Sequence, residues 1–348
     1  MTSIPMNILC QSPVSEGMSA REAVGHTLTL AQDAEALGYH RFWVSEHHSD
    51  AALASASPEV MIATIAAQTK RLRVGSGGVL LPYYAPFKVA EQFNLLEALF
   101  PARIDLGLGR SGGSEHHAPQ ALGLDARRMR SDVAFKAIDE LLSWLGHGTD
   151  ARPFEDTQAS PALDTSVEPW VLGTSPSSAR YAGERGLPYT FGGFLDPRSL
   201  VETLGAYHQA FQPSIWLKRP RVNLAWYVQA AESEEEAARL TRSSEHWFVE
   251  TLLRGKNPRF KSPESVVSAD YSAMEKMAIQ MRRHFAILGT GIQVVEQLLE
   301  LQRKYHVDEL TLVTICYDPE ARRRSYRLIA EAASLGERQE PAIAFASA

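Results

Sequence analysis

Cysteine is scarce in this chain, with Cys10 and Cys316 the two examples in 348 residues. Two thiols cannot build a disulfide framework, and their scarcity agrees with a reducing compartment. An excess of basic charge is also missing. Acids and bases are mixed along the chain and the formal net charge is −6, so no electropositive stripe awaits a nucleic-acid backbone. No run reaches the roughly 18 apolar residues of a membrane span. The opening MTSIPMNILCQS has no basic start leading into an apolar stretch, as a secretory signal would. These absences predict a cytoplasmic protein with neither nucleic acid nor membrane as partner. There is no low-complexity tract and no inter-domain linker.

What the chain does have is alternation. Short β-type runs are separated by longer stretches of helical period: MNILCQ, RFWVS, LRVGS, RIDLGLG, PWVLG, PYTFG, RVNLAWYVQA and ELTLVTI. Between the first two lies AREAVGHTLTLAQDAEALG, an amphipathic helix closed by Gly38 in the place of a C-cap glycine. The second helix opens at Ser57-Pro58-Glu59, with serine as N-cap and proline in the first turn. ARRMRSDVAFKAIDELLSWL reads as the helix after the fourth strand, and SEEEAARLTRSSEHWF as the helix after the seventh. Eight strands alternating with helices predict a parallel (β/α)₈ TIM barrel formed as one domain over residues 1–348. An open doubly wound sheet is the alternative. The alternation is interrupted over 250–289 by a polar, basic and then helical segment, an insertion whose expected role is an active-site lid, with a disordered or interface loop as the alternatives.

The sequence SEHH occurs at Ser45 to His48 and again at Ser114 to His117. Barrel active sites gather just after the strands, and both copies have that placement. Neighbouring residues of an extended strand point to opposite faces, so His47 and His48 cannot aim at one ion. The wider ligand spacings of structural zinc sites do not occur around either copy. No metal site is expected.

FWVSEHH, then LRVGSGGVLLPYYAP (Leu72 to Pro86), then AEQFNLLEALFPARIDLGLGR (Ala90 to Arg110), resembles the bacterial luciferase-like monooxygenase family. The likeness is nearest to the single-component branch of luciferase-type oxidoreductases. It runs in order and spacing through most of the first 110 residues. WVLGTSPSSARYAGERGLP (Trp170 to Pro188) extends it to a phosphate-binding turn.

The resemblance implies a bacterial-luciferase-type barrel that binds FMN, or in some branches a deazaflavin, at its C-terminal face. It carries over a catalytic role to His47, an acid–base group that titrates near pH 6 to 7 when unperturbed. Glu46, Ser76, Gly77 and Gly78 would flank the flavin ring, with a non-proline cis peptide joining the two glycines. Glycine there lets backbone approach a flat ring closely. The phosphate falls to Arg110, to the backbone of Ser111, Gly112 and Gly113, and to Gly173, Thr174, Ser175 and Ser178. The last four sit at a helix start whose free N–H groups suit an anion.

Two departures from the family pattern stand out. Glu115, His116 and His117 occupy a loop that differs in relatives, where they either line the substrate pocket or cap the next helix. Gly109 stands where some luciferases carry a reactive cysteine.

The function implied is an FMN-dependent monooxygenase. It would use reduced FMN from a separate flavin reductase, together with O2, to oxidise a small organic substrate. Family habit adds a homodimer through Pro58 to Thr69 and Pro86 to Leu99. A deazaflavin-dependent hydride-transfer enzyme, a flavin-storage protein and a metal-dependent hydrolase are the alternatives.

Overall fold

Strands of a parallel sheet are covered on both faces and so carry near-continuous apolar runs. A computed structural model of the chain describes residues 4–110, 117–146, 154 and 156–337. In it the apolar runs become β1 (Met6–Cys10), β2 (Arg41–Val44), β3 (Arg73–Ser76), β4 (Val79–Leu80), β5 (Ile104–Gly109), β6 (Glu168–Gly173), β7 (Tyr189–Gly192), β8 (Val222–Ala230), β9 (Ile287–Gly289) and β10 (Glu309–Val313). The pairing is parallel throughout, and β10 joins both β8 and β1. That closure makes a TIM barrel of eight staves and removes the open-sheet alternative. β4 continues the third stave, and β9 stands off the ring.

The helices are α1 (Ala20–Leu37), α2 (Pro58–Gln68), α3 (Pro86–Leu99), α4 (Ala118–Ala121), α5 (Ser131–Trp144), α6 (Pro176–Glu184), α7 (Leu200–Ala210), α8 (Glu234–Phe248), α9 (Ala273–Phe285), α10 (Gly291–Tyr305) and α11 (Pro319–Ala332). Their ends follow local chemistry. Ser19 and Glu22 form a reciprocal capping box on α1, and Gly38 closes it in the left-handed region at φ 86°. Ser57 is the N-cap of α2 but makes no side-chain cap bond; Pro58 alone sets that start.

One expected helix is broken. Asp125 accepts from the Arg127 backbone and holds a single 3₁₀ turn over Ala126–Met129, after which Arg130 is extended and α5 begins. A carboxylate that satisfies a turn's N–H groups competes with helix propagation at that point.

The excursion expected over 250–289 begins earlier, with α8. Beside β8 and β10 it is α10 that packs against α11, while α8 lies on the upper end of β8 and on β9. Ser244 of α8 meets Tyr227 hydroxyl to hydroxyl at 2.9 Å. Tyr227 belongs to an inner cluster with Leu9, Trp43, Trp170, Val313 and Phe260, against which Trp247 also packs. Together α8, a π-helical turn (Val249–Leu253), the following loop, α9 and β9 lie as a roof on the C-terminal side of the barrel, against the end of β8 and the segment after β1. Asn257 ties this roof to the turn after β2, donating to Ser49 O at 2.7 Å and accepting from Ala51 N at 2.8 Å.

Charge closes the opposite end. Arg41 meets Asp105 at 2.7 Å and Glu309 at 2.9 Å, both pairs buried. Arg73 also holds Asp105, at 2.5 Å. Arg221 holds Glu309 at 2.5 Å and Glu168 at 2.9 Å. Trp43 Nε1 and Asn7 Nδ2 add hydrogen bonds to Asp105 and Glu309, each at 2.9 Å. The charges therefore neutralise one another inside the barrel floor, which leaves the mouth as the end available to a ligand.

Candidate active site

A cavity of about 310 Å³ opens among the C-terminal strand ends. Its wall is assembled from Gln11 after β1, Ser45 to His47 after β2, Gly77 and Gly78, Arg110 after β5, and the turn from Gly173 to Ser178. Most candidate residues thus converge on one space, although they come from distant parts of the chain.

The Glu-His-His sequence divides its labour. Glu46 is buried, and its carboxylate accepts from Leu80 N at 2.8 Å and from the Tyr84 hydroxyl at 2.7 Å. His48 Nε2 lies 2.7 Å from the same carboxylate and stands edge-on to Tyr83 at 5.2 Å. Burial pushes the Glu46 carboxyl up, while these three bonds pull it back. Glu46 therefore braces β2 against the segment that follows the glycines, and His48 is part of that brace.

His47 faces the cavity instead. Its ring has no hydrogen bond among the described residues; its backbone N–H donates to Ser55 O at 2.8 Å. Burial, helped by the neighbouring His48, lowers its pKa to about 4. The group expected to titrate near neutrality is consequently a neutral imidazole at pH 7. It still offers one donor and one acceptor.

Gly77 and Gly78 are joined by a cis peptide. A Cβ on Gly78 would lie 2.8 Å from Gly107 O and 3.0 Å from Gly109 N, both backbone atoms. A side chain is thus excluded by space, and bare backbone forms that part of the cavity wall.

The candidate anion pole lies across β5 and β6, which are paired neighbours. Arg110 donates from Nη1 to Ser131 Oγ, and its guanidinium carbon is 5.8 Å from the Phe135 ring centre. Phe135 stacks on Tyr181 at 4.3 Å, so α5 and α6 together hold the arginine in place. Ser175 caps α6, with Pro176 in the first turn, and accepts from Ser178 N at 3.4 Å. Ser178 Oγ donates to Ser175 O at 2.8 Å and meets the Tyr189 hydroxyl at 3.0 Å. A fixed guanidinium and a helix start line the same cavity, and both are groups that suit an oxyanion.

Some candidates are elsewhere. Ser76 is fully buried behind the wall, its hydroxyl spent on Gly107 O at 2.9 Å. Gly112 and Gly113, with Ser111, Glu115 and His116, fall outside the described residues. His117 is exposed at the N-cap position of α4 and makes no side-chain cap bond. Among the described residues no three His, Cys, Asp or Glu side chains gather as a metal group.

Sequence reasoning missed Tyr84, Phe135, Ser131 and Gln11. Gln11 carried a usable signal, since it follows a strand directly, as His47 and Arg110 do. The others lie on helices or turns and have no such mark.

An FMN-like molecule has a flat ring and a phosphate, and this cavity has a side-chain-free wall and an anion pole, so the residues present fit it. A family model described as luciferase-like monooxygenase matches residues 4–306. A Bacillus subtilis (strain 168) protein called uncharacterized protein YwcH is 43% identical over 334 residues, covering 94% of this chain and 99% of its own. The N-acetyl-S-alkylcysteine monooxygenase of the same strain is 33% identical over 342 residues, covering 96% of this chain and 100% of its own. The crystal structure of apo-MsnO8 superposes with a TM-score of 0.85 at 35% identity, covering 95% of this chain and 99% of that one.

Proposed function

We propose, from the premise that this chain belongs to the luciferase-like monooxygenase family and is an oxygen-incorporating oxidoreductase, that its cofactor is reduced FMN and its substrate a small organic molecule. The observation that carries the reading is one cavity lined by both the bare Gly77–Gly78 backbone and the Arg110–α6 anion pole. When bound, reduced FMN supplies the electrons that activate O2 for insertion into the substrate. A separate flavin reductase supplies it.

The chain's own residues bind, orient and shield. Arg110 and the N–H groups at the start of α6 hold the phosphate, with Thr174 and Ser175 contributing hydroxyls and Ser178, bonded to Ser175 O, fixing the turn. The glycine backbone leaves room for a ring to lie flat. Glu46 fixes that backbone through Leu80 N. His47, neutral and free at both ring nitrogens, takes up a proton at one and gives one up at the other during turnover.

The oxygenase works as a homodimer in the cytoplasm. Val60 on α2 and Leu95 and Leu99 on α3 are 60%, 52% and 57% exposed, and pairing of these faces covers them. A solution mass of one chain at micromolar concentration would remove the dimer.

The decisive experiment is titration with FMN and with a deazaflavin, followed by turnover under 18O2 with a reductase present. FMN is expected to bind the more tightly, and one labelled oxygen to appear in the product. Tighter deazaflavin binding, or product without label, would overturn the reading.

A further inference from the structure

Away from the anion pole, the cavity wall holds neutral polar side chains with no partner. Gln11 is buried and lines the cavity, and among the described residues its amide makes no hydrogen bond. Ser45 Oγ is buried and unpartnered as well. Other polar groups of the wall are already spent. Trp43 Nε1 donates to Asp105 at 2.9 Å, Thr190 Oγ1 accepts from Asn223 Nδ2 at 3.3 Å, and Thr311 Oγ1 donates to Asn223 Oδ1 at 3.0 Å.

Strand register places the free amide relative to the glycines. β1 pairs with β2 at Cys10 and Val44, and β2 with β3 at Val44 and Ser76. The ladder runs one step further, with Ser45 N donating to Cys10 O at 3.1 Å and Gly77 N to Val44 O at 2.8 Å. Gln11, Ser45 and Gly77 therefore form one row across three adjacent staves, and all three line the cavity. Neighbouring strands stand roughly 5 Å apart, so the Gln11 backbone lies about 10 Å along the row from the bare glycine wall. A flat ring resting on that wall, with its long axis along the row, brings one edge within reach of the amide.

The two edges of a flavin ring differ. One is an imide, an N–H between two carbonyls, and the other is a dimethylbenzene. A glutamine amide offers an acceptor and two donors side by side, so it can accept from the imide N–H while donating to a neighbouring carbonyl. In the ring of staves β6 and β7 stand opposite β1 and β2. There Leu172 and Phe194 line the cavity, and they suit the apolar edge.

We infer that Gln11, with Ser45 beside it, binds the imide edge of the flavin through a pair of hydrogen bonds and so sets which end of the ring faces β1 and β2. This assignment rests on the flavin reading of the cavity and adds to it a cofactor-binding residue and a ring orientation.

The test is fluorescence titration of the protein with oxidised FMN and with FMN methylated at N3, which has no imide proton. The unaltered protein should bind FMN about tenfold or more tightly than the methylated form, as loss of the paired bonds requires. Gln11→Ala should weaken FMN binding about tenfold and, by making room for the methyl group, bring the two affinities together. Gln11→Glu keeps an acceptor and should retain part of the preference. Equal binding of the two flavins by the unaltered protein, or the full preference surviving in Gln11→Ala, would overturn the inference. If Gln11→Ala does not fold, Gln11→Glu decides, a reduced preference supporting the contact and an unchanged one removing it. A deazaflavin carries the same imide edge. Tighter deazaflavin binding that Gln11→Ala weakens would therefore remove the choice of FMN alone, and FMN binding indifferent to Gln11→Ala would remove the imide contact alone.

Discussion

The two ends of this barrel are built from the same strands and treat polar groups in opposite ways. At the floor Arg41, Arg73 and Arg221 are consumed by Asp105, Glu168 and Glu309. At the mouth the ring of His47 has no hydrogen bond among the described residues, and Ser45 Oγ is buried without a partner. Buried polar groups normally find partners inside the protein. The charges of the floor are thus all paired, although Asn7 Oδ1 there is buried without a partner, whereas the mouth keeps a cavity lined by uncommitted polar groups.

The largest effect should come from breaking the floor. Arg41→Leu leaves Asp105 and Glu309 buried without their shared counter-charge, and it should destabilise the protein by ~3–5 kcal/mol in chemical denaturation. A loss below 1 kcal/mol would mean that Arg73 and Arg221 suffice. Next comes the mouth. Arg110→Ala should weaken FMN binding by ~1.5–3 kcal/mol with the unfolding midpoint unmoved; unchanged affinity would deny it the phosphate. Gly78→Ala should cost ~1–3 kcal/mol of stability. Gly77→Ala should cost less, because its new Cβ meets the movable Leu9 Cδ1 at 2.6 Å rather than backbone.

The gentlest probe is pH. Burial holds folded His47 at about 4, so as pH falls below the ordinary value near 6.5 the unfolded chain takes up a proton that the folded chain refuses. Stability should then decline toward pH 4 by up to ~1.4 kcal/mol per unit, and His47→Gln should flatten that slope. Burial pushes Glu309 up, but Arg41 and Arg221 overcome it and hold the carboxyl at about 2. Its contribution is present above the ordinary carboxylate range and fades as pH falls toward 2, and Glu309→Gln should remove that second decline.

Much of this contrast was legible beforehand. The apolar strand runs marked the staves, and residues just past them (His47, Gly77, Gly78, Arg110 and Thr174) marked the cavity. The floor left a readable trace as well, since Arg41, Arg73 and Glu309 each open a strand otherwise apolar or small. What the sequence could not reveal was how those charges pair, because Arg41 and Glu309 meet across 268 positions. The break at Arg130 turned on one carboxylate, Asp125, choosing a turn over a helix. The role of α8 was hidden for a different reason. Its amphipathic period is equally correct for a barrel helix and for a roof, and only the neighbours reveal which one it is.

One strand belongs to both worlds. β8 is nine residues long; 223–227 pair with β10 and 228–230 with β9. The outer ladder and the Trp226 Nε1 bond to Phe285 O hold the roof to the strand, and the barrel ladder lies below them. In hydrogen-exchange terms the same strand should carry two protection classes, slow amides in its lower half and faster ones above.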